Sequence, residues 1–305
     1  MPTSVAAAAR VEPAPAKVNL TLRVLGARPD GYHEIESLVV FAAVGDALGF
    51  TPGRKLDLAV RGPTAVAAGD IADNLVLKAV SALAERTEGL KVGRFVLSKR
   101  LPVAAGLGGG STDAAAALRL LARHNRITLD DARLMAAARA TGADVPVCLD
   151  PQARLMRGIG EVLSQPLRLP ALPALLINPR VSVATKDVFA ALKAGPVGEH
   201  DLGVSVEDGL SSDGHAPSRD ELIAFVSRHG NDLEAPAIAL HPAIPQALAA
   251  LRALPGCRLA RMSGSGASCF GLFDSNRAAV AAARILRVKH PQWWIRPTAL
   301  GGRPS

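Results

Sequence analysis

Gly106, Gly108, Gly109 and Gly110 stand in PVAAGLGGGSTDAAAAL, Pro102 to Leu118, directly before Ser111, Thr112 and a run of alanine and leucine. Glycine has no Cβ, so a backbone that carries it can approach an oxyanion closely. A helix opening just behind it adds unpaired N–H groups and the positive end of its dipole. That is chemistry for holding phosphate. The run matches neither of the two best-known nucleotide fingerprints: it lacks the Lys of a P-loop, and Ser111 stands where the last glycine of G-x-G-x-x-G would fall. On its own, a tight turn accounts for the glycines equally well. A second stretch of the same small, donor-rich character, MSGSGAS, contains Ser263, Gly264, Ser265 and Gly266. Two such loops, with Lys17 and Asn19 two residues apart and Asp144 in GADVPV, point to an enzyme that holds a polyphosphate and moves part of it.

These residues need elements to position them. In AKVNLTLRVL, Val18, Leu20, Leu22 and Val24 alternate with Lys17, Asn19, Thr21 and Arg23, the period of a half-buried strand with Lys17 and Asn19 on its polar face. Tyr32 and His33 follow the turn signal Asp30-Gly31 and fall at a hairpin edge. DNLVLKAVSALAER places Val76, Ala79, Val80 and Leu83 at helical spacing, with Asp73 as the cap, and KVGRFVLSK reads as a strand. A helix follows from Ser111, with Ser111 or Thr112 at its N-cap and Asp113 in its first turn. Another runs through LDDARLMAAARA and closes at Gly142 as a left-handed cap, leaving Asp144 in a short connection before Pro146. CRLARM and SCFGLF read as strands on either side of Ser263 to Gly266, followed by an alanine-rich helix and a last strand around WWIRP.

The pattern weakens and prolines accumulate after Gly160. The expected domains are therefore residues 1–160, with 1–15 a flexible extension, and residues 161–290. Residues 291–305 form a last strand and tail whose return to the first domain is left open. The polar stretch that begins at Lys193 is expected to be a mobile surface loop.

Composition excludes several classes. The 305 residues are 49% hydrophobic and 20% charged, enough apolar material for a soluble chain with a substantial core, and no apolar run reaches the length of a membrane span. MPTSVAAAAR lacks the basic start and long apolar segment of a secretory signal. Cys148, Cys257 and Cys269 form no disulfide framework and no CxxC pair, which fits a reducing cytoplasm. The net charge of +8 favours anionic partners. Aromatics at 3% and dispersed Lys and Arg do not make a nucleic-acid surface. The histidines have no HExxH or other paired metal spacing.

PVAAGLGGGSTDAAAAL resembles the phosphate-binding motif of the GHMP kinases, named for galactokinase, homoserine kinase, mevalonate kinase and phosphomevalonate kinase, and MSGSGAS resembles their third motif. PAKVNLTLRV, RPDGYHEIESL, GADVPV and NPRVSVAT are similar to the members that phosphorylate 4-diphosphocytidyl-2-C-methyl-D-erythritol in the non-mevalonate route to isoprenoids, and the likeness runs in order from Ala16 to Phe273.

The resemblance implies a mixed α/β two-domain fold, with a ribosomal-protein-like N-terminal domain and a ferredoxin-like C-terminal domain. It implies ATP as phosphate donor over Pro102, Gly106, Leu107, Gly108, Gly109, Gly110, Ser111 and Thr112, with Ser263 to Gly266 beside the substrate. By the same resemblance Asp144 accepts the proton of a tertiary alcohol and Lys17 stabilises charge at the reacting centre. Asn19 bonds the polyol, Tyr32, His33 and Phe189 hold the cytosine, and Ser111 is the protein oxygen nearest a Mg2+ ion, with Asp113 a second residue able to approach it. The partners implied are small molecules only, with no nucleic acid or membrane, for a cytoplasmic monomer or weak homodimer. The rivals are a homoserine- or mevalonate-type kinase and a ligand sensor without turnover.

Overall fold

The computed structural model describes residues 10–198 and 216–302. In chain order, the first half contains strands β1 (Arg10–Asn19), β2 (Arg23–Ala27), β3 (His33–Pro52) and β4 (Asp57–Arg61), helix α1 (Leu75–Ala84), strand β5 (Gly93–Ser98), and helices α2 (Gly109–Asn125), α3 (Ala132–Thr141) and α4 (Val145–Leu149). The second half contains β6 (Arg154–Gly158), β7 (Val162–Leu163), β8 (Leu172–Asn178), α5 (Thr185–Leu192), α6 (Arg219–Arg228), α7 (Glu234–Leu240), α8 (Ala243–Arg252), β9 (Cys257–Met262), β10 (Cys269–Phe273), α9 (Asn276–Lys289) and β11 (Trp294–Leu300).

The chain forms two compact units. The first takes the described residues up to Pro15, Gly45–Val103 and Gly109–Asp150. In it β4 runs parallel to β5, and β5 runs antiparallel to the later part of β3, from Ala47 opposite Ser98 to Pro52 opposite Gly93. Phe50 and Phe95 meet across this pairing with ring centroids 4.9 Å apart. Helix α2 packs on α1, α3 and α4, and its residues from Thr112 to Ala122 are all buried. Ala114 to Ala117 make this possible, because small side chains let neighbouring helices approach on every face.

The second unit takes Ala16–Val44, Ala104–Gly108 and the described residues from Pro151 onward. Its sheet has β8, buried at every position, between β10 and β11, all antiparallel, with β9 at the edge beyond β10. β11 reaches the early part of β3 through Leu300 opposite Ala42, and that part of β3 also carries β2 and β6. Helix α9 lies on β8 and β11, and α8 on β9 and β10. The expected seam near residue 160 falls within this unit, between β6 and β7.

Several local expectations are corrected. The strand through AKVNLTLRVL is interrupted between Asn19 and Arg23, and both of its faces are covered, with Lys17 4% and Thr21 0% exposed. Alternation there separates two buried environments instead of core from water. Asn74, not Asp73, caps α1: its side chain accepts from the Val76 N–H at 3.0 Å. Asp73 ends a short 3-10 turn capped by Asp70. Helix α2 begins at Gly109, so Ser111 and Thr112 lie inside it and Asp113 lies past its first turn. Gly142 has φ 168°, extended and not left-handed. The N-terminal extension is shorter than expected where it is described, since β1 is strand from Arg10. Residues 199–215 of the polar stretch after Lys193 lie outside the described residues, as do 1–9 and 303–305.

Candidate active site

In the second unit the glycine loop, Ala104 to Gly108, is held by its own backbone. The carbonyls of Ala105 and Leu107 accept from the N–H groups of Ser268 (3.1 Å) and Lys17 (2.9 Å), and the Gly106 carbonyl accepts from Ser263 Oγ at 2.9 Å. Gly106 has φ 71°, and a Cβ on it would lie 2.3 Å from the Ser263 carbonyl oxygen, so glycine is needed both for conformation and for space. The stem of Lys17 runs beside Gly108, whose added Cβ would come within 3.0 Å of Lys17 Cβ. Lys17 is therefore buried next to the loop.

The MSGSGAS stretch is the turn between β9 and β10. Ser263 links it to the rest of the unit, since its hydroxyl accepts from the Asn19 N–H at 3.1 Å while donating to Gly106. Asn231 Nδ2 donates to the carbonyls of Met262 (2.9 Å) and Gly264 (2.8 Å), and Asn178 Nδ2 donates to Ser268 Oγ at 2.9 Å. Ser265 and Thr185 share a hydroxyl hydrogen bond of 2.9 Å. Asn19 Nδ2 donates to Ser37 Oγ at 2.7 Å, and Asn19 Oδ1 is buried without a hydrogen-bond partner, so one acceptor remains open there. A Cβ on Gly264 would lie 3.4 Å from that oxygen.

Tyr32 closes the β2–β3 connection and His33 opens β3, at the edge of the hairpin. Gly31 has φ 83°, and the Tyr32 N–H donates to Asp30 Oδ1 at 3.1 Å. Tyr32 is exposed, while the His33 ring lies against Phe189 of α5 with centroids 4.7 Å apart. The structure thus brings together two residues 156 positions apart that the sequence reading had grouped by resemblance.

In the first unit, Pro102 is half-buried after the buried Leu101, and Gly109, Gly110, Ser111 and Thr112 form the opening turn of α2. Thr112 Oγ1 donates to the Gly109 carbonyl at 3.0 Å. This turn rests on a charged cluster that the motif reading did not single out. Lys99 Nζ donates to Asp46 at 2.6 Å and to Asp113 at 2.8 Å, with all three side chains buried. Asp46 Oδ1 also accepts from the N–H groups of Arg100 (2.5 Å) and Leu101 (2.8 Å), whereas Asp113 Oδ1 is buried without a partner.

Burial opposes the charge on Lys99, but Asp113 and Asp46 outweigh it and hold the ammonium above its ordinary pKa. One cation serves two carboxylates, so burial, countered by Lys99 and reinforced by Asp46, pushes Asp113 up to about 7. The available sequence signal was the helix position: Asp113 shares a helix face with the apolar Ala116, Ala117 and Leu120.

Asp144 is half-buried at the N-cap of α4, where its side chain makes no capping hydrogen bond, and Pro146 follows in the first turn. Every residue of α4 is buried. Among the described residues no group of three or more His, Cys, Asp or Glu could hold a metal ion. Protein ligation of a cation at Ser111 would leave most positions to phosphate oxygens, which is how Mg2+ is usually held.

Comparison with known proteins shows the family of the chain. The GHMP kinases N terminal domain matches residues 74–150, and GHMP kinases C terminal matches residues 217–291. The chain is 57% identical over 294 residues to the 4-diphosphocytidyl-2-C-methyl-D-erythritol kinase of Xanthobacter autotrophicus, covering 94% of this chain and 97% of that one. A crystal structure of 4-(cytidine 5'-diphospho)-2C-methyl-D-erythritol kinase superposes with a TM-score of 0.75 at 36% identity, covering 97% of this chain and all of the other. Homoserine kinase from Cytophaga hutchinsonii, at 21% identity, shares the fold with a TM-score of 0.67 over 99% and 98% of the two chains.

Proposed function

The chain belongs to the GHMP kinases, in the branch of the 4-diphosphocytidyl-2-C-methyl-D-erythritol kinases, and from that premise we propose that it transfers the γ-phosphoryl group of ATP to the 2-hydroxyl of 4-diphosphocytidyl-2-C-methyl-D-erythritol. The observation that carries this reading is the likeness to kinases of that name along nearly the whole chain.

The tertiary alcohol is a poor nucleophile, so most of the acceleration comes from placement and charge neutralisation. Its oxygen forms the new bond to the γ-phosphorus while the bond to the β–γ bridging oxygen breaks and ADP leaves. Asp144 accepts the hydroxyl proton, and Lys17 offsets negative charge on the transferring group. A lysine beside a glycine loop suits that role, since it brings a cation close to backbone able to approach phosphate. Gly106, Leu107, Gly108, Gly109, Gly110, Ser111 and Thr112 hold the triphosphate, with Pro102 setting the entry to the loop. Asn19, through its open Oδ1, takes a hydrogen bond from the polyol. Tyr32, His33 and Phe189 hold the cytosine. The Ser111 hydroxyl, together with ATP, would hold a Mg2+ ion, which would supply neutralisation of phosphate charge.

Purified protein given ATP with 4-diphosphocytidyl-2-C-methyl-D-erythritol, homoserine or mevalonate in parallel tests the reading. Phosphorylation of the first acceptor alone is expected. Transfer to either of the others at a comparable kcat/KM, or to none while ATP still binds, would overturn it. Asp144→Asn is expected to lower kcat by at least about a hundredfold.

A further inference from the structure

We propose that Arg119 is a positioning residue for the reaction, fixing helix α4 and through it Asp144. The inference rests on the reading of Asp144 as the proton acceptor. Arg119 lies in the middle of α2, between the fully buried Leu118 and Leu120, and is itself only 5% exposed. A guanidinium in such a place is costly unless its donors are met. Three of them are: Nε donates to Glu12 Oε1 at 2.6 Å, Nη2 to the Pro13 carbonyl at 2.7 Å and Nη1 to the Cys148 carbonyl at 2.5 Å. Arg123, one turn further along α2, pairs with the other oxygen of Glu12.

The bond to Cys148 concerns Asp144 most. Cys148 stands one helical turn beyond Asp144, on the same side of α4. A helix of five residues has few hydrogen bonds of its own, and its last carbonyls find no partner within it. Arg119 supplies that partner from a neighbouring helix. Asp144 is the N-cap residue of α4, so its backbone moves with that helix. A shift of that backbone moves the carboxylate by a similar amount, and displacements of about 1 Å can cost a hundredfold in rate.

The alternative is that Arg119 only ties β1 to α2 through Glu12. The test compares Arg119→Lys, Arg119→Gln and Glu12→Gln in the full chain, with Asp144→Asn alongside. Kinetics with ATP and 4-diphosphocytidyl-2-C-methyl-D-erythritol are taken well below the Tm of each variant, so that the folded fraction does not enter. Both Arg119 variants are expected to lose about tenfold to a hundredfold in kcat, with KM for ATP changed by no more than about twofold. Glu12→Gln, which breaks the ion pair and leaves the bond to Cys148, is expected to lower Tm with kcat within about twofold of the native value.

If the Arg119 variants keep native kcat, or lose no more of it than Glu12→Gln at a similar loss of Tm, the inference is overturned. Should Arg119→Lys fail to fold, Arg119→Gln decides by the same criteria. Turnover retained in Asp144→Asn would instead remove the proton-acceptor assignment, an outcome seen independently of any Arg119 variant.

Discussion

The glycine loop up to Gly108 and the opening turn of α2 from Gly109 are neighbours in sequence, yet they are held by opposite means. The loop is fixed by neutral partners: Ala105, Gly106 and Leu107 each give a carbonyl to a backbone N–H or a serine hydroxyl. The helix opening rests on Lys99 between Asp46 and Asp113, where a charge is shared in a dry interior. Neutral contacts of this kind are indifferent to pH, whereas a cluster of two acids and one base stores a proton equilibrium. The two halves of this glycine-rich stretch should therefore respond differently to the same perturbation.

The largest effect is expected from Lys99→Met, which strands Asp46 and Asp113 without a cation and should cost about 3–5 kcal/mol in urea unfolding. A loss below about 1 kcal/mol would show that the cluster does not rely on its cation. Next comes the pH response of the native chain. Asp113 in the folded chain keeps its proton up to about 7, whereas in the unfolded chain it releases it near the ordinary value of 3.8. Between those values the folded state binds more protons, so the Asp113 contribution to stability declines as pH rises through that window. Lys99, whose folded pKa is raised, contributes throughout the window and loses its effect only at higher, alkaline pH. Asp113→Asn should flatten the slope, and an unchanged slope would assign it to other groups.

In the neutral half, Gly106→Ala forces a side chain into a left-handed position against the Ser263 carbonyl and should cost about 1–3 kcal/mol with a rise in KM for ATP. A native Tm and KM would show that the loop tolerates a Cβ. The smallest effect is expected from Ser263→Ala, about 1–2 kcal/mol for the lost bonds to Asn19 and Gly106, equal at pH 5 and pH 8 by the same unfolding measurement. A marked pH dependence in Ser263→Ala would erase the contrast between the two halves.

Much of this arrangement was legible in the sequence because its signals are local. The glycine pattern, the paired strands around Ser263 to Gly266 and the helix through Val76, Ala79, Val80 and Leu83 each depend on residues a few positions apart. The boundaries were less secure: Gly109 and Gly110 have poor helix propensity but open α2, since tertiary packing overrides a local preference. The pairings of Lys99 and Arg119 left no local trace, because Lys99 lies 53 positions from Asp46 and 14 from Asp113 and Arg119 lies 107 from Glu12, and a charge in an amphipathic pattern reads first as a solvated one. The contact of His33 with Phe189 was reached by resemblance. No spacing rule connects residues that far apart.

If His33 and Phe189 hold the cytosine as proposed, their contact sets the tempo of its capture. With centroids 4.7 Å apart, His33 and Phe189 already touch, and a flat heterocycle with a ring on each face needs about 7–8 Å. A base entering between them must first part them, so association would wait on the opening of a closed pair instead of on encounter alone. In stopped-flow mixing, such a gate makes the observed binding rate level off as the nucleotide-linked acceptor is raised; a rate that climbs linearly instead means the base stacks on an outer face.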